Sequence, residues 1–62
     1  QAERIIKTER IFIKPMSLDE AIMQIDLMHN DFMVFTNAQT QKVNVLYRRR
    51  DGNLGLIEPE NE

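Results

Sequence analysis

The sequence contains no cysteine and only one histidine. Without cysteine the fold has neither a disulfide nor a thiolate metal site, and a single histidine excludes a histidine-rich metal site. A domain of 62 residues buries only ~60% of its unfolded surface, so it is marginally stable alone. Its stability must therefore come from a well-packed core or from association with another chain.

Long apolar runs and a net positive charge are missing too. No run approaches the ~20 apolar residues of a membrane span, and no signal peptide is visible. The formal net charge is −2, which is a poor electrostatic match for nucleic acid. With the absent cysteine, these features favour a cytoplasmic protein with no membrane partner. The chain starts at Gln1 rather than methionine, so we expect one domain, residues 1–62, taken from a longer protein.

The pattern of apolar residues predicts an α+β domain of order β-α-β-β-β. Strands are predicted at residues 5–14, 32–35, 43–47 and 54–58 from their branched and aromatic side chains. Residues 7–10 interrupt the apolar pattern of the first strand, so a loop or linker is the alternative for its first part. Pro15 is predicted to end the first strand. Ser17 and Glu20 have the spacing of a capping box, so a helix begins there. It is predicted to stop near His29, with Asn30 as the left-handed cap.

Two predicted hairpin turns set the register of a mainly antiparallel sheet. A two-residue type I′ turn at Asp51-Gly52 pairs Tyr47 with Leu56. A four-residue loop at 38–41 pairs Phe32 with Tyr47. Side chains alternate between the two faces. One predicted face then carries Phe32, Val34, Val43, Val45, Tyr47, Leu54 and Leu56. The other carries Met33, Phe35, Leu46 and Ile57.

Both predicted faces are apolar, but one helix of about three turns can cover only one of them. An uncovered apolar patch of several hundred Å² marks an association site. Two identical faces that meet about a two-fold axis close such a core without leaving a further sticky surface. The sequence therefore predicts a homodimer whose sheets pack face to face. The predicted interface residues are Phe32, Val34, Val43, Val45, Tyr47 and Leu56, with Ile11 and Ile13 from the first strand.

Three segments carry a likeness to a known family: residues 14–22, 30–37 and 44–59. In this order and spacing they resemble the C-terminal domain of long-form ribosome hibernation promoting factors, in the ribosome-associated translation inhibitor family. The resemblance implies a non-enzymatic homodimer that joins two 70S ribosomes into a translationally inactive 100S dimer during stress or stationary phase. It also implies an N-terminal domain, absent from this chain, that binds the small ribosomal subunit.

Other readings of the sheet and the hairpin stay open. Arg48, Arg49 and Arg50 could contact ribosomal RNA phosphate, although a solvated hairpin end is favoured because the chain is acidic. Phe32 and Tyr47 could stack RNA bases as in a single-strand-binding sheet. Their apolar neighbours favour a dry protein interface. A third alternative is an adaptor that stays monomeric until a different protein binds.

No constellation of residues predicts an enzyme, a cofactor or a small-molecule substrate. Asp19 and Glu20 are adjacent, so on a helix their carboxylates diverge, and capping explains Glu20. His29 with Asp26 is at most half of a metal site, and a position at the helix end is favoured. Four methionines could form an adaptable groove, although core filling is the default, with Met23 partly exposed. They are Met16, Met23, Met28 and Met33.

Overall fold

A computed structural model describes residues 4–60 of the chain. It contains a four-stranded mixed sheet and one helix in the predicted order β-α-β-β-β. Strand β1 is parallel to β2, and the other two strand pairs are antiparallel. The α+β class is thus confirmed. Within the described range, no helix has the length and apolarity of a membrane span. The elements are β1 Pro15–Met16, α1 Leu18–Met28, β2 Phe32–Asn37, β3 Lys42–Arg48 and β4 Leu54–Ile57.

The capping box at the start of α1 is confirmed. The Glu20 amide donates to Ser17 Oγ at 3.1 Å, and the Ser17 amide donates to Glu20 Oε1 at 3.2 Å. Asp19 and Glu20 lie in the first turn, where negative charge favours the helix dipole. At the other end His29 has the left-handed conformation, φ 54°. The predicted cap at Asn30 is therefore wrong by one residue.

The predicted first strand at residues 5–14 is wrong. Only Pro15–Met16 pair with β2, so Pro15 begins the strand instead of ending it. The ladder bonds here involve the Lys14 and Met16 carbonyls, which accept from Thr36 (3.3 Å) and Ala38 (3.0 Å). A proline is tolerated as the first residue of such a strand. Residues 5–13 are strand formers by composition, but they lie exposed. Strand propensity is mostly packing against neighbours, and here the neighbours are absent.

The β2–β3 hairpin has the predicted register. Phe32 pairs with Tyr47 and Val34 with Val45. The loop is the predicted four residues, 38–41, because Asn37 pairs with Lys42 across it. Gln41 closes the loop with a positive φ of 65° and donates its amide to the Asn37 carbonyl at 2.7 Å.

The β3–β4 hairpin is shifted by one residue from the prediction. Tyr47 pairs with Gly55, and Leu46 with Leu56. A type I′ turn needs positive φ at both central residues. Within the loop Gly52 has a positive φ, 89°, and Asp51 does not.

A five-residue loop therefore replaces the predicted two-residue turn. The Arg49 amide donates to the Asn53 carbonyl at 2.7 Å, and Asp51 Oδ1 accepts from the Asn53 amide at 3.0 Å. Because a shift of one residue exchanges the two faces of a strand, Leu54 and Leu56 move to the helix side of the sheet. Ile57 moves to the opposite side.

Helix α1 packs on one face of the sheet and forms the core there. Ala21 and Ile25 from the helix are buried against Phe35 and Leu46. The helix thus covers the sheet face that carries Met33, Phe35 and Leu46. The sequence alone did not decide which of the two faces the helix covers. Partly buried side chains surround this cluster: Met16, Ile22, Met33, Leu54 and Leu56.

A polar pair lies on the same helix-side face of β2 and β3. Asn37 Nδ2 donates to Asn44 Oδ1 at 2.9 Å, and both side chains are buried. Asn37 Oδ1 also accepts from the Gln39 amide at 2.9 Å in the following loop. Buried amides are tolerated when they are hydrogen-bonded in this way. The pair joins the β2–β3 loop to the sheet.

Two substitutions on opposite sides of α1 test which side forms the core. Ile25→Ala removes a fully buried side chain and should lower the free energy of unfolding by about 2–5 kcal/mol. Met23→Ala, on the same helix but 62% exposed, should change it by no more than about 0.5 kcal/mol. Urea titrations at one fixed protein concentration measure both. Equal losses in the two variants would contradict the assigned helix orientation.

Candidate functional site

The sheet surface opposite the helix is uncovered and apolar. Its positions follow from the strand registers, and we call this surface the open face. Within residues 4–60, none of its side chains is charged. Phe32 is 61% exposed and Ile57 55%, although both are large apolar residues. The open face comprises Phe32, Val34, Thr36, Val43, Val45, Tyr47, Gly55 and Ile57.

Five of the predicted interface residues lie together on this surface. They are Phe32, Val34, Val43, Val45 and Tyr47. Leu56 does not: it packs at the core beside Leu46, because the hairpin register is shifted. Ile57 holds the open-face position opposite Val45. A predicted loop of five residues, 49–53, in place of a two-residue turn would have assigned Ile57 to this face. Ile11 and Ile13 are exposed and lie outside the sheet.

Tyr47 lies across the backbone of Gly55, its cross-strand partner. A Cβ atom added at Gly55 would lie 2.6 Å from both Cε1 and Oη of the tyrosine. That separation is too short for any real contact. An aromatic ring that covers a cross-strand glycine is a known device for holding strand register. Gly55 is thus required for space, and it lets the phenol ring lie flat on the open face.

The three predicted ribosome-contact arginines have different surroundings. Arg48 Nη2 donates to the carbonyls of Ile25 and Asn30, each at 3.3 Å, and Nη1 pairs with Asp26 at 3.3 Å. Its positive charge therefore sits at the C-terminal end of α1, where the helix dipole favours it. This partly buried contact fixes the end of the helix to β3 and gives Arg48 a structural role.

Arg49 and Arg50 belong to the hairpin loop instead. Arg49 Nε pairs with Asp51 Oδ2 at 3.1 Å, in an exposed geometry that contributes little to stability. Arg50 is exposed and forms no ion pair with the residues that the structure describes. These two guanidinium groups, unlike that of Arg48, are open to a partner.

The structure offers no catalytic constellation at the residues considered for one. Glu20 is engaged in the helix cap with Ser17, and His29 is the left-handed C-cap residue. In the described part of the chain, no group of three or more histidine, cysteine or acidic side chains could hold a metal ion. Met16 and Met33 pack at the core, whereas Met23 and Met28 are exposed. The expected exposure of Met23 is confirmed.

Comparison with known proteins gives one consistent family. Residues 1–56 match the family described as "Sigma 54 modulation/S30EA ribosomal protein C terminus". The chain is 51% identical over 55 residues to a protein named "Ribosome hibernation promotion factor" from Bacillus subtilis (strain 168), covering 89% of this chain and 29% of that protein. It is 46% identical over 56 residues to a protein of the same name from Lactococcus lactis subsp. cremoris (strain MG1363), covering 90% and 30%. The chain thus spans less than a third of the length of these relatives.

A substitution at Gly55 tests the position of the Tyr47 ring. Tyr47 is the single tyrosine, and the sequence has no tryptophan, so the tyrosine band of the near-ultraviolet circular dichroism spectrum, which lies at longer wavelength than the phenylalanine bands, reports the environment of one ring. Gly55→Ala should displace the ring and reduce this signal by more than half, while the far-ultraviolet spectrum keeps its shape. Gln39→Ala, in the exposed β2–β3 loop, is the control. An unchanged near-ultraviolet spectrum in Gly55→Ala would contradict the packing of the ring on the glycine.

Proposed function

Because the chain belongs to the Sigma 54 modulation/S30EA ribosomal protein C-terminal family, we propose that it is the homodimerisation domain of a ribosome hibernation factor. Two copies associate through their open faces, and another part of each longer protein binds the small subunit of a ribosome. The paired 70S ribosomes are then held as an inactive 100S dimer in the cytoplasm, in stress or stationary phase. The role is mechanical and uses neither a cofactor nor a small-molecule substrate.

The observation that carries this proposal is the uncharged apolar open face. Burial of one valine, isoleucine or phenylalanine side chain stabilises a complex by roughly 1.5–3 kcal/mol. The open face presents six apolar side chains at alternating positions of three adjacent strands. A second open face, related by a two-fold axis, is the complementary surface that leaves no apolar patch exposed.

The RNA-binding alternative has one supporting observation and one against it. Phe32 and Tyr47 are cross-strand partners on the open face, and exposed aromatics on a sheet can stack on RNA bases. Such sheets also need positive charge for the phosphates. Lys42 and Arg48 belong to the helix side by register, and the open face of the described residues carries no lysine or arginine. Exposed aromatic rings without neighbouring positive charge favour a protein partner over RNA.

Arg49 and Arg50 are the residues that we propose for direct contact with the ribosome. They lie at the hairpin tip, next to the open face and not on it. In a face-to-face dimer both tips would stay accessible to RNA phosphate. We do not extend this proposal to Arg48, because its guanidinium already donates to the Ile25 and Asn30 carbonyls at the end of α1.

Truncation of the open-face aromatics tests self-association. Phe32→Ala and Tyr47→Ala should each weaken the dimer by ~2–4 kcal/mol, the range of central aromatic residues at interfaces. That corresponds to a dissociation constant roughly 30- to 1000-fold higher. Sedimentation across a dilution series measures it.

Met23→Ala is the matched control, since Met23 has almost the same exposure as Phe32 but lies on the outer side of the helix. It should leave the dissociation constant unchanged. A monomeric parent domain at high concentration would contradict the proposal. Salt-sensitive binding of short single-stranded RNA to that monomer would support the RNA alternative.

The ribosomal role is tested in the full-length protein. Val45→Asp places a carboxylate at the centre of the open face, and Leu27→Asp, on the exposed side of α1, is its control. A buried unpaired charge is strongly unfavourable, so Val45→Asp should abolish the 100S peak in a sucrose gradient. The protein should still co-sediment with single ribosomes. Persistence of paired ribosomes in this variant would refute the role of the open face.

A further inference from the structure

The hairpin tip contains an aspartate that is followed directly by a glycine. Asp51 is the one aspartate in the sequence with this neighbour. The others, Asp19, Asp26 and Asp31, all precede larger residues. The amide nitrogen that follows an aspartate can attack the side-chain carboxyl group and close a succinimide ring. A side chain on the following residue hinders this closure, whereas glycine allows the close approach that it needs.

The surroundings of the Asp51-Gly52 pair leave room for such a ring. Strand β3 ends at Arg48 and β4 begins at Leu54, so no strand ladder holds the backbone between them. The Asp51 side chain is 49% exposed, and Gly52 is exposed too. A Cβ atom added at Gly52 would meet no atom of the described residues within 4 Å. Sterically, the ring is therefore free to close.

The loop nevertheless holds both reacting groups in hydrogen bonds. The Gly52 amide donates to the Arg49 carbonyl at 3.1 Å. The Asp51 carboxylate accepts from the Asn53 amide at 3.0 Å and from Arg49 Nε at 3.1 Å. Nitrogen and carboxylate must leave these partners before they can bond to each other. Arg49 thus restrains the nitrogen through its carbonyl and the carboxylate through its guanidinium.

We propose that Asp51 is a site of spontaneous modification, where aspartate converts to isoaspartate, and that the Arg49 guanidinium slows this conversion. The Gly52 nitrogen bonds to Asp51 Cγ, while its proton and one protonated carboxylate oxygen leave as water. Water then adds to the α-carbonyl carbon of the succinimide and breaks the bond from that carbon to nitrogen. The peptide chain afterwards runs through Cγ. One water and one solvent proton are taken up and returned, so no oxidant, reductant or cofactor is needed.

The product changes the length of the loop. Isoaspartate adds one backbone atom between Asp51 and Gly52 and leaves the former α-carboxyl group as the side chain. The loop at residues 49–53 sets the pairing of Tyr47 with Gly55, and the register of β4 determines which of its side chains lie on the open face. We expect the modified chain to associate more weakly. This consequence, unlike the modification itself, rests on the proposed homodimer.

Ageing of the full-length protein tests the modification. Endoproteinase Asp-N cleaves before aspartate and not before isoaspartate. After weeks at neutral pH and physiological temperature, a growing share of chains should resist cleavage at residue 51, with no change in peptide mass. Cleavage before Asp19, Asp26 and Asp31 should stay complete. Complete cleavage before residue 51 as well would overturn the site.

Two matched variants test the role of Arg49. Arg49→Ala keeps the carbonyl and removes the guanidinium, so isoaspartate should form roughly 2- to 5-fold faster, the range expected for an exposed ion pair. Arg50 forms no ion pair within residues 4–60, and Arg50→Ala should keep the natural rate.

Urea removes the folded loop and separates its effect from that of the local sequence. In urea the natural chain and Arg49→Ala should react at one common rate, higher than that of the folded natural protein. Equal rates for Arg49→Ala and Arg50→Ala in the folded protein would overturn the protective role of the guanidinium. So would a difference between the natural chain and Arg49→Ala that persists in urea.

Sedimentation of the aged full-length protein tests the effect on association. Asp51→Glu is the control, because glutamate must close a larger and less favourable ring and should stay unmodified. The dissociation constant of the natural protein should rise as isoaspartate accumulates, whereas that of Asp51→Glu should stay constant. An unchanged constant in a modified protein would overturn the effect on the register and leave the proposed function standing. A fresh protein that is monomeric would overturn the proposed function together with this effect, and leave the modification standing.

Discussion

One helix covers one side of a four-stranded sheet, and the rest of the architecture depends on that constraint. Helix α1 has 11 residues, and its inward side chains Ala21 and Ile25 bury Phe35 and Leu46. An antiparallel sheet with one solvated face normally alternates apolar and polar residues. Here β2 and β3 carry apolar residues on both faces, so burial of the helix side leaves a second apolar surface on the same strands. The single chain thereby leaves one of its two apolar sheet surfaces uncovered.

The hairpin loop at residues 49–53 determines what that second surface contains. If the turn were two residues long, Leu56 would lie on the open face and Gly55 on the helix side. The five-residue loop reverses this and brings Gly55 beneath Tyr47. The same loop directs Arg49 and Arg50 to the tip, while Arg48 at the end of β3 reaches the helix C-terminus. One turn thus separates the structural arginine from the two accessible ones.

The open face would determine the strength of the proposed dimer. It offers apolar area on three adjacent strands and, within residues 4–60, no charged side chain. Apolar burial supplies most of the free energy of association. Two such faces related by a two-fold axis would leave no apolar patch exposed.

The sequence alone was sufficient for the element order, the capping box at Ser17 and Glu20, the β2–β3 register and the excess of apolar sheet surface. These features follow from local spacing, so neighbouring residues decide them. Only the tertiary structure decided which face meets the helix, that residues 5–13 lie off the sheet, and that Leu56 and Ile57 exchange sides. The helix contacts depend on packing between distant segments. The first strand depends on a neighbouring strand, which residues 5–13 lack in the single chain. Leu56 and Ile57 exchange sides because Asp51 lacks the positive φ of a type I′ turn. The loop formed instead shifts the register by one residue, which reverses the two faces of β4.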